Sequence, residues 1–170
     1  TIFSDCELKF NFNKPKNNKQ QFTKNKAEDA QLLRKLSYEG LPYRYGFNPQ
    51  LGKKANKKQR DILTRLENEL KVIEQCDFCA YFLINWDMVN YAIKKGYPYV
   101  GRGSGANSMV AYLIRITNVD PIDLDLYFER FINPHRSSSP DFDVDFSWTD
   151  RDDVTAYLFE KHGRDKVALL

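Results

Sequence analysis

Three aspartates at every second position are the strongest chemical signal in the sequence. Asp141, Asp143 and Asp145 stand in the segment Ser-Pro-Asp-Phe-Asp-Val-Asp-Phe, whose period of two is typical of a β-strand. The alternate positions are apolar and are expected to face a core: Phe142, Val144 and Phe146. The three carboxylates would then share one face, about 7 Å apart, and repel one another.

Such a row of like charges needs a positive partner, and Mg²⁺ is the natural one because it takes hard oxygen ligands and substrate phosphates. Two such ions about 4 Å apart could activate an attacking hydroxyl and neutralise a leaving pyrophosphate. We expect Asp141 and Asp143 to bind them, since Asp141 lies beside Pro140 at the accessible end of the strand, and Asp145 to be auxiliary. The structural alternative is an exposed acidic strand edge that prevents aggregation.

A glycine-rich segment at residues 100–108, Val-Gly-Arg-Gly-Ser-Gly-Ala-Asn-Ser, is the second signal. Glycines let backbone N–H groups approach a phosphate closely, and a following helix N-terminus adds a favourable dipole. Arg102 and Ser104 would add a cation and a hydroxyl donor. The segment lacks the lysine of a P-loop and follows no clear strand. It is therefore either another kind of phosphate-binding turn or a purely structural one.

Basic residues elsewhere could extend a positive surface. Arg130 and Arg136 precede the acidic segment and could bind a triphosphate, although ordinary ion pairs explain them equally well. A basic cluster at residues 53–60 could follow a phosphate backbone, or could be a solvated face.

The surrounding pattern predicts the elements that must position these motifs. The spacing of apolar residues predicts five helices: 27–39, 56–75, 81–95, one from Ser104 or Ser108 to about 116, and 152–162. Gly40 with Pro42 is expected to end the first helix, and Gly96 the third. A helical turn near 124–131 and strands at 141–146 and 166–170 complete an α+β fold.

Composition indicates a folded cytoplasmic protein. The chain has 170 residues, of which 42% are hydrophobic, enough to bury a core. No apolar run approaches the roughly 20 residues that a membrane span needs, so no membrane partner is expected. The net charge of +3 does not by itself establish nucleic-acid binding. Residues 1–26, rich in Asn, Lys and Gln, predict a linker or the end of a preceding domain.

Taken in order, several segments resemble the catalytic alpha subunit of bacterial DNA polymerase III, the C-family replicase. The matching segments are Tyr-Phe-Leu-Ile at 81–84, Gly-Arg-Gly-Ser-Gly at 101–105, Ile-Thr-Asn-Val-Asp-Pro at 116–121, Phe-Glu-Arg-Phe-Ile-Asn-Pro at 128–134, Pro-Asp-Phe-Asp-Val-Asp-Phe at 140–146 and Gly-Arg-Asp at 163–165. The resemblance implies that residues 27–170 form the N-terminal part of a polymerase palm. That palm would be of the DNA polymerase beta-like nucleotidyltransferase type, with several helices packed on a small sheet.

The resemblance also implies roles for individual residues. Four of them would bind the incoming deoxynucleoside triphosphate: Arg102, Gly103, Ser104 and Arg130. Asp141 and Asp143 would bind two Mg²⁺ ions, with Asp145 less certain. The family also uses a third aspartate and a lysine from palm sequence beyond this chain, so the isolated chain is expected to be inactive.

The implied activity is DNA-directed DNA polymerisation on primer-template DNA with dNTPs. Other replicase subunits, such as the sliding clamp, would bind parts of the parent protein outside this chain. Two alternatives remain open: a palm-like module without catalysis, and another magnesium-dependent nucleotidyltransferase or phosphohydrolase. Two positions depart from the family's usual Gly-Pro-Gly-Arg-Gly-Ser-Gly-Ala-Gly-Ser loop, since Val100 precedes Gly101 and Asn107 replaces a glycine.

Overall fold

The computed structural model of the chain describes residues 21–49, 55–133, 140–164 and 167. Within them the fold is α+β, with five α-helices and one two-stranded antiparallel sheet. The helices are α1 Lys26–Tyr45, α2 Lys57–Gln75, α3 Cys79–Lys95, α4 Met109–Leu113 and α5 Arg151–His162. The strands are β1 Tyr99–Arg102 and β2 Asp143–Phe146. The strand expected at 166–170, and residues 1–20 of the expected linker, lie outside the description.

Three helices, α2, α3 and α5, begin within two residues of the predicted positions and end where the sequence predicts. Asn56 caps α2 by accepting from the Gln59 N–H, while the Gln59 side chain returns a contact to the Asn56 backbone, a reciprocal capping box. Gly96 ends α3 in the left-handed conformation, with φ of 77°. The last of the three, α5, ends at His162, next to Gly163. None of the helices in the described ranges is long and apolar enough to cross a membrane.

The prediction that Gly40 and Pro42 end α1 is wrong, because the helix continues to Tyr45. The N–H that Pro42 lacks costs the last turn one hydrogen bond. Tertiary contacts offset this loss, since Leu41 is fully buried and Arg44 donates to the backbone oxygens of Tyr112 and Thr117. The chain leaves the helix at a left-handed Gly46, whose N–H donates to the Pro42 carbonyl.

The helices form one core under the sheet. Helix α1 packs against α3 and α4, and α2 also packs against α4. The largest fully buried side chains come from all four: Leu33, Leu66, Phe82, Met109 and Leu113. The short helix α4 is therefore the centre of the packing, and it begins directly after the glycine-rich segment.

Three predictions about this central region require correction. The glycine-rich segment lies between α3 and α4, and its first three residues, 100–102, form the end of β1, a strand that the sequence did not predict. The helix after it ends at Leu113 instead of about residue 116, since Arg115 takes a φ of 69° and Ile116 N–H donates back to the Ala111 carbonyl. Strand β2 begins at Asp143, two residues later than expected, and the helical turn near 124–131 is present as a 3-10 turn, Phe128–Arg130.

Gly101 marks the place where β1 crosses the end of α4. A Cβ on this residue would lie 2.0 Å from the Ile116 carbonyl oxygen, a backbone atom that cannot move aside alone. We therefore expect Gly101→Ala to lower the free energy of unfolding by about 1–3 kcal/mol, the usual cost of overpacking. Denaturant titration of the chain measures this. The neighbouring exposed residue provides the control, since Val100→Ala should cost less than about 1 kcal/mol; equal costs would contradict the packing argument.

Candidate functional site

The antiparallel pairing of β1 with β2 brings the glycine-rich and acidic motifs together. Arg102 lies directly opposite Asp143, and Val100 lies opposite Asp145. Arg102 and Asp143 are 41 positions apart in the sequence, so only the folded sheet makes them neighbours. Side chains opposite one another and those two positions along a strand share a face. The face that carries Asp143 and Asp145 therefore also carries Arg102.

Arg102 is the positive partner of two of the three aspartates. Its Nε donates to Asp145 Oδ2 at 2.7 Å, and its Nη1 lies 3.5 Å from Asp143 Oδ2. The hydrogen bond with Asp145 is the main cause that raises the pKa of the Arg102 guanidinium. All three side chains are about half exposed. Exposed ion pairs contribute little to stability, so the guanidinium can exchange one anionic partner for another at small cost.

The next two residues of the chain also face the acidic strand. Gly103 begins a 3-10 turn, Gly103–Asn107, which we call the glycine turn. It has a φ of 74°, and a Cβ there would lie 2.6 Å from Asp143 Oδ2. Ser104 Oγ donates to Asp141 Oδ1 at 3.0 Å. Three successive residues thus each lie against a carboxylate: Arg102 against Asp143 and Asp145, Gly103 against Asp143, and Ser104 against Asp141.

Phe142 anchors the acidic segment to the helices. Its ring stacks on Tyr81 at 5.4 Å and meets the edges or faces of Phe82 and Phe131 at 5.1 and 4.8 Å. Its backbone N–H donates to the Tyr81 hydroxyl at 2.8 Å. Burial raises the pKa of that hydroxyl, which stays protonated. The aspartates on either side of Phe142 are therefore held by a residue that cannot shift without disturbing the core.

The inward-facing residues of the strand behave largely as predicted. Phe142 and Val144 pack against the core, whereas Phe146 packs on Tyr99 of β1 with ring centroids 6.5 Å apart. The alternation of aspartate with apolar residues thus separates a core side from a solvent side.

Of the other basic residues predicted to extend this site, Arg130 lies nearest to it. Arg130 ends the 3-10 turn Phe128–Arg130, is exposed, and belongs to a turn that packs against the glycine turn. In the basic cluster, Lys58 lies 3.6 Å from Asp123 and Arg60 donates to the Ala55 carbonyl. Arg136 and residues 53–54 lie outside the described part of the chain.

Two residues of α2 that the sequence analysis did not single out, Arg65 and Glu69, support the glycine turn. Arg65 Nη2 donates to the Asn107 carbonyl at 3.1 Å. Glu69 is only 2% exposed. The sequence position of Glu69 could have revealed this contact, because it falls on the apolar stripe that contains Ile62, Leu66 and Ile73. A charged residue at a core position of an amphipathic helix indicates a buried polar contact.

The donor set at the turn suits Mg²⁺. Asp141 and Asp143 carry oxygen atoms of the kind that Mg²⁺ prefers, and Gly103 lies directly against the Asp143 carboxylate, 2.6 Å from where a Cβ would be. In the described ranges, no three or more His, Cys, Asp or Glu side chains form a group that could hold a metal ion. Magnesium normally uses one or two carboxylates and completes its shell with water and substrate phosphate. The residues present fit such a partial shell.

The described part of the chain is thus an α+β domain in which a glycine-rich turn lies against a strand of carboxylates. Residues 31–170 match the family described as the bacterial DNA polymerase III alpha NTPase domain. The chain belongs to this family.

Curated relatives agree with this assignment. The DNA polymerase III subunit alpha of Borreliella burgdorferi is 45% identical over 140 residues, which cover 82% of this chain and 11% of that protein. The subunit alpha of Escherichia coli K12 is 42% identical over 149 residues, 87% of this chain and 13% of that protein. The error-prone DNA polymerase of Anaeromyxobacter sp. strain K is 40% identical over 139 residues, 82% of this chain and 12% of that protein. The chain therefore spans about an eighth of the length of these relatives.

The close approach of Gly103 to Asp143 can be tested on the chain itself, without an assay of enzyme activity. Gly103→Ala places a methyl group in a left-handed backbone and against the Asp143 carboxylate. We expect a loss of unfolding free energy of about 1–2 kcal/mol from the backbone alone, together with displacement of Asp143 from Arg102. NMR reports the second effect as a shift of the Arg102 Nε–H resonance.

Gly46→Ala is the matched control, because Gly46 has a similar φ of 68° and no atom within 4 Å of its Cβ position. It should show the backbone cost and leave the Arg102 resonance in place. An unchanged Arg102 resonance in both variants would contradict the described geometry of the turn.

Proposed function

We propose that this chain forms part of the catalytic palm of a DNA-directed DNA polymerase, in which it binds magnesium and the incoming dNTP during primer extension. The observation that carries the proposal is that Arg102, Gly103 and Ser104 lie in succession along the carboxylates of the acidic strand. Membership of the polymerase III alpha family supports the same activity. Because the chain spans an eighth of its relatives, the activity is proposed for a full-length polymerase that contains it.

The glycine turn is the proposed triphosphate site. Gly103 has no side chain between its backbone and the solvent side of the sheet, so N–H groups of the turn can approach phosphate oxygens. Ser104 adds a hydroxyl donor, and Arg102 adds a guanidinium that would move from Asp145 to a phosphate. Arg130, on the adjoining 3-10 turn, would extend the positive side of this site.

Asp141 and Asp143 are the proposed metal ligands. They lie nearest to the glycine turn, whereas Asp145 lies further along β2 and accepts the closest hydrogen bond from Arg102. Two bound Mg²⁺ ions would neutralise triphosphate charge and favour the ionised primer 3′ hydroxyl. The primer oxygen forms its bond to the α-phosphorus as pyrophosphate leaves. The chain's own contribution is to hold the triphosphate and the two carboxylates in fixed relative positions.

Within the parent protein, we propose that residues 27–170 form the N-terminal part of a DNA polymerase beta-like palm and that residues 1–26 link it to a preceding domain. Its partners would be primer-template DNA, dNTPs and other replicase subunits such as the sliding clamp, all in the cytoplasm. The small sheet with helices packed beneath it supports the palm assignment.

Substitution of each aspartate in a full-length polymerase tests the proposal. Asp141→Asn and Asp143→Asn should each lower primer extension by at least roughly a hundredfold, since each removes a charged ligand of the metal ions that neutralise the triphosphate. Asp145→Asn should keep a measurable fraction, which makes it the internal control on the same strand. Incorporation of labelled dNTP measures all three.

Full activity of the Asp143→Asn protein would exclude the proposed site. Release of phosphate by the unsubstituted protein without incorporation would instead favour a phosphohydrolase.

Replacement of Arg102 tests the phosphate contact separately. Arg102→Ala should raise the KM for dNTP or lower the rate by about ten- to a hundredfold, because one charge-assisted hydrogen bond is worth roughly 1.5–3 kcal/mol. Arg151→Ala is the matched control, since Arg151 is also exposed and also pairs with an aspartate, Asp152, but on α5. If both variants retain wild-type kinetics, Arg102 has no role in nucleotide binding.

A further inference from the structure

Glu69 on α2 is one of two almost fully buried carboxylates in the described part of the chain, the other being Asp29 on α1. Glu69 is 2% exposed and lies among Leu66, Leu70 and Ile73. Burial raises the pKa of this carboxyl against the opposing effect of Arg65. Burying a charge is unfavourable unless it is fully hydrogen-bonded, and an apolar residue at the same position would often be at least as stable. Stability alone therefore does not explain a glutamate here.

The contacts of Glu69 lead directly to the glycine turn. Oε1 accepts from Arg65 Nε at 3.0 Å, and Oε2 accepts from Ser108 Oγ at 3.0 Å and Val110 N–H at 3.2 Å. Arg65 then donates through its other nitrogen to the Asn107 carbonyl at 3.1 Å. One ion pair on α2 thus binds both the last residue of the glycine turn and the cap of α4.

From Asn107 the connection continues into the proposed site. Asn107 Nδ2 donates to the Ser104 carbonyl at 2.8 Å, and Ser104 Oγ donates to Asp141 Oδ1. Ser108 N–H donates to the Gly105 carbonyl at 3.1 Å. The orientation of the turn's backbone is therefore set at its C-terminal end, by residues that α2 holds.

We propose that Glu69 is a positioning residue for nucleotide binding, which acts through Arg65 and Asn107 to fix the backbone of the glycine turn. This inference rests on the proposed function, since the turn must bind triphosphate for the positioning to affect kinetics. Glu69 and Arg65 themselves touch no substrate. Their effect is to hold N–H groups in the geometry that a phosphate requires, so that little ordering remains when the nucleotide binds.

Glu69→Gln separates positioning from the structural role of the carboxylate. The glutamine carbonyl can still accept from Ser108 and Val110, so the cap of α4 is retained. Its amide nitrogen is a donor and cannot accept from Arg65 Nε, so Arg65 loses its anchor. In a full-length polymerase we expect the KM for dNTP to rise about tenfold, the change that corresponds to one lost hydrogen bond. The Kd for primer-template should stay within about twofold of the wild-type value.

Glu67→Gln is the matched control. Glu67 lies on the same helix, accepts from Arg34 and Tyr38 of α1, and its contacts hold α2 to α1. The same chemical change there should lower the melting temperature with the KM for dNTP unchanged. Equal KM values in Glu69→Gln and Glu67→Gln would overturn the proposal.

If Glu69→Gln does not fold, Arg65→Lys tests the positioning role instead. A lysine keeps the charge beside Glu69, but its single nitrogen cannot replace the two that reach Glu69 and Asn107 together. It should raise the KM for dNTP to a similar extent, and a wild-type KM would overturn the proposal. Arg102→Ala distinguishes failure of the positioning role from failure of the proposed triphosphate site. If Arg102→Ala raises the KM while Glu69→Gln and Arg65→Lys do not, only the positioning role fails. If Arg102→Ala also has no effect, the proposed triphosphate site at the glycine turn fails with it.

Discussion

The pairing of β1 with β2 is the constraint on which the rest of the structure depends. A two-stranded sheet is at best marginally stable alone, so its position is set by what holds each strand. Strand β1 is held where Gly101 meets the Ile116 carbonyl, and the start of β2 is held where Phe142 enters the aromatic cluster with Tyr81. Once both strands are fixed, Arg102 must lie opposite Asp143. The helices therefore determine the geometry of the site, although they contribute none of its aspartates.

Two groups of charged residues at the glycine turn differ in their exposure to water: one lies on the solvent side of the sheet and the other on α2. Arg102 and the aspartates are accessible to water, where their attraction is weak and readily exchanged for a phosphate or a metal ion. Arg65 and Glu69 support the turn from α2, and removing Arg65 would leave the charge of Glu69 buried and unpaired. The exposed position of Arg102 permits a substrate phosphate to replace an aspartate as its partner during turnover. The contacts of Arg65 and Glu69 keep the backbone of the glycine turn in one conformation.

Much of this arrangement could be predicted from the sequence, because local signals specify it. The apolar stripes, the Asn56 cap and the left-handed Gly96 specify α2 and α3, and the alternating aspartates specify β2 within two residues. Strand β1 could not be predicted, since its four residues, one of them Gly101, form a strand only by pairing with β2, about 40 positions further along the chain. The continuation of α1 through Pro42 likewise depends on the burial of Leu41 and the contacts of Arg44. Arg65 and Glu69 were missed because α2 was judged by its apolar stripe alone.

The central claim is that the glycine turn and the acidic strand together hold the triphosphate and its metal ions. A structure of a full-length polymerase with primer-template, Mg²⁺ and an unreactive dNTP analogue tests it most directly. We expect triphosphate oxygens about 3 Å from donors of Gly103 and Ser104, metal ions on Asp141 and Asp143, and Arg102 turned from Asp145 to a phosphate. A triphosphate bound away from the glycine turn, with Arg102 still paired to Asp145, would contradict it.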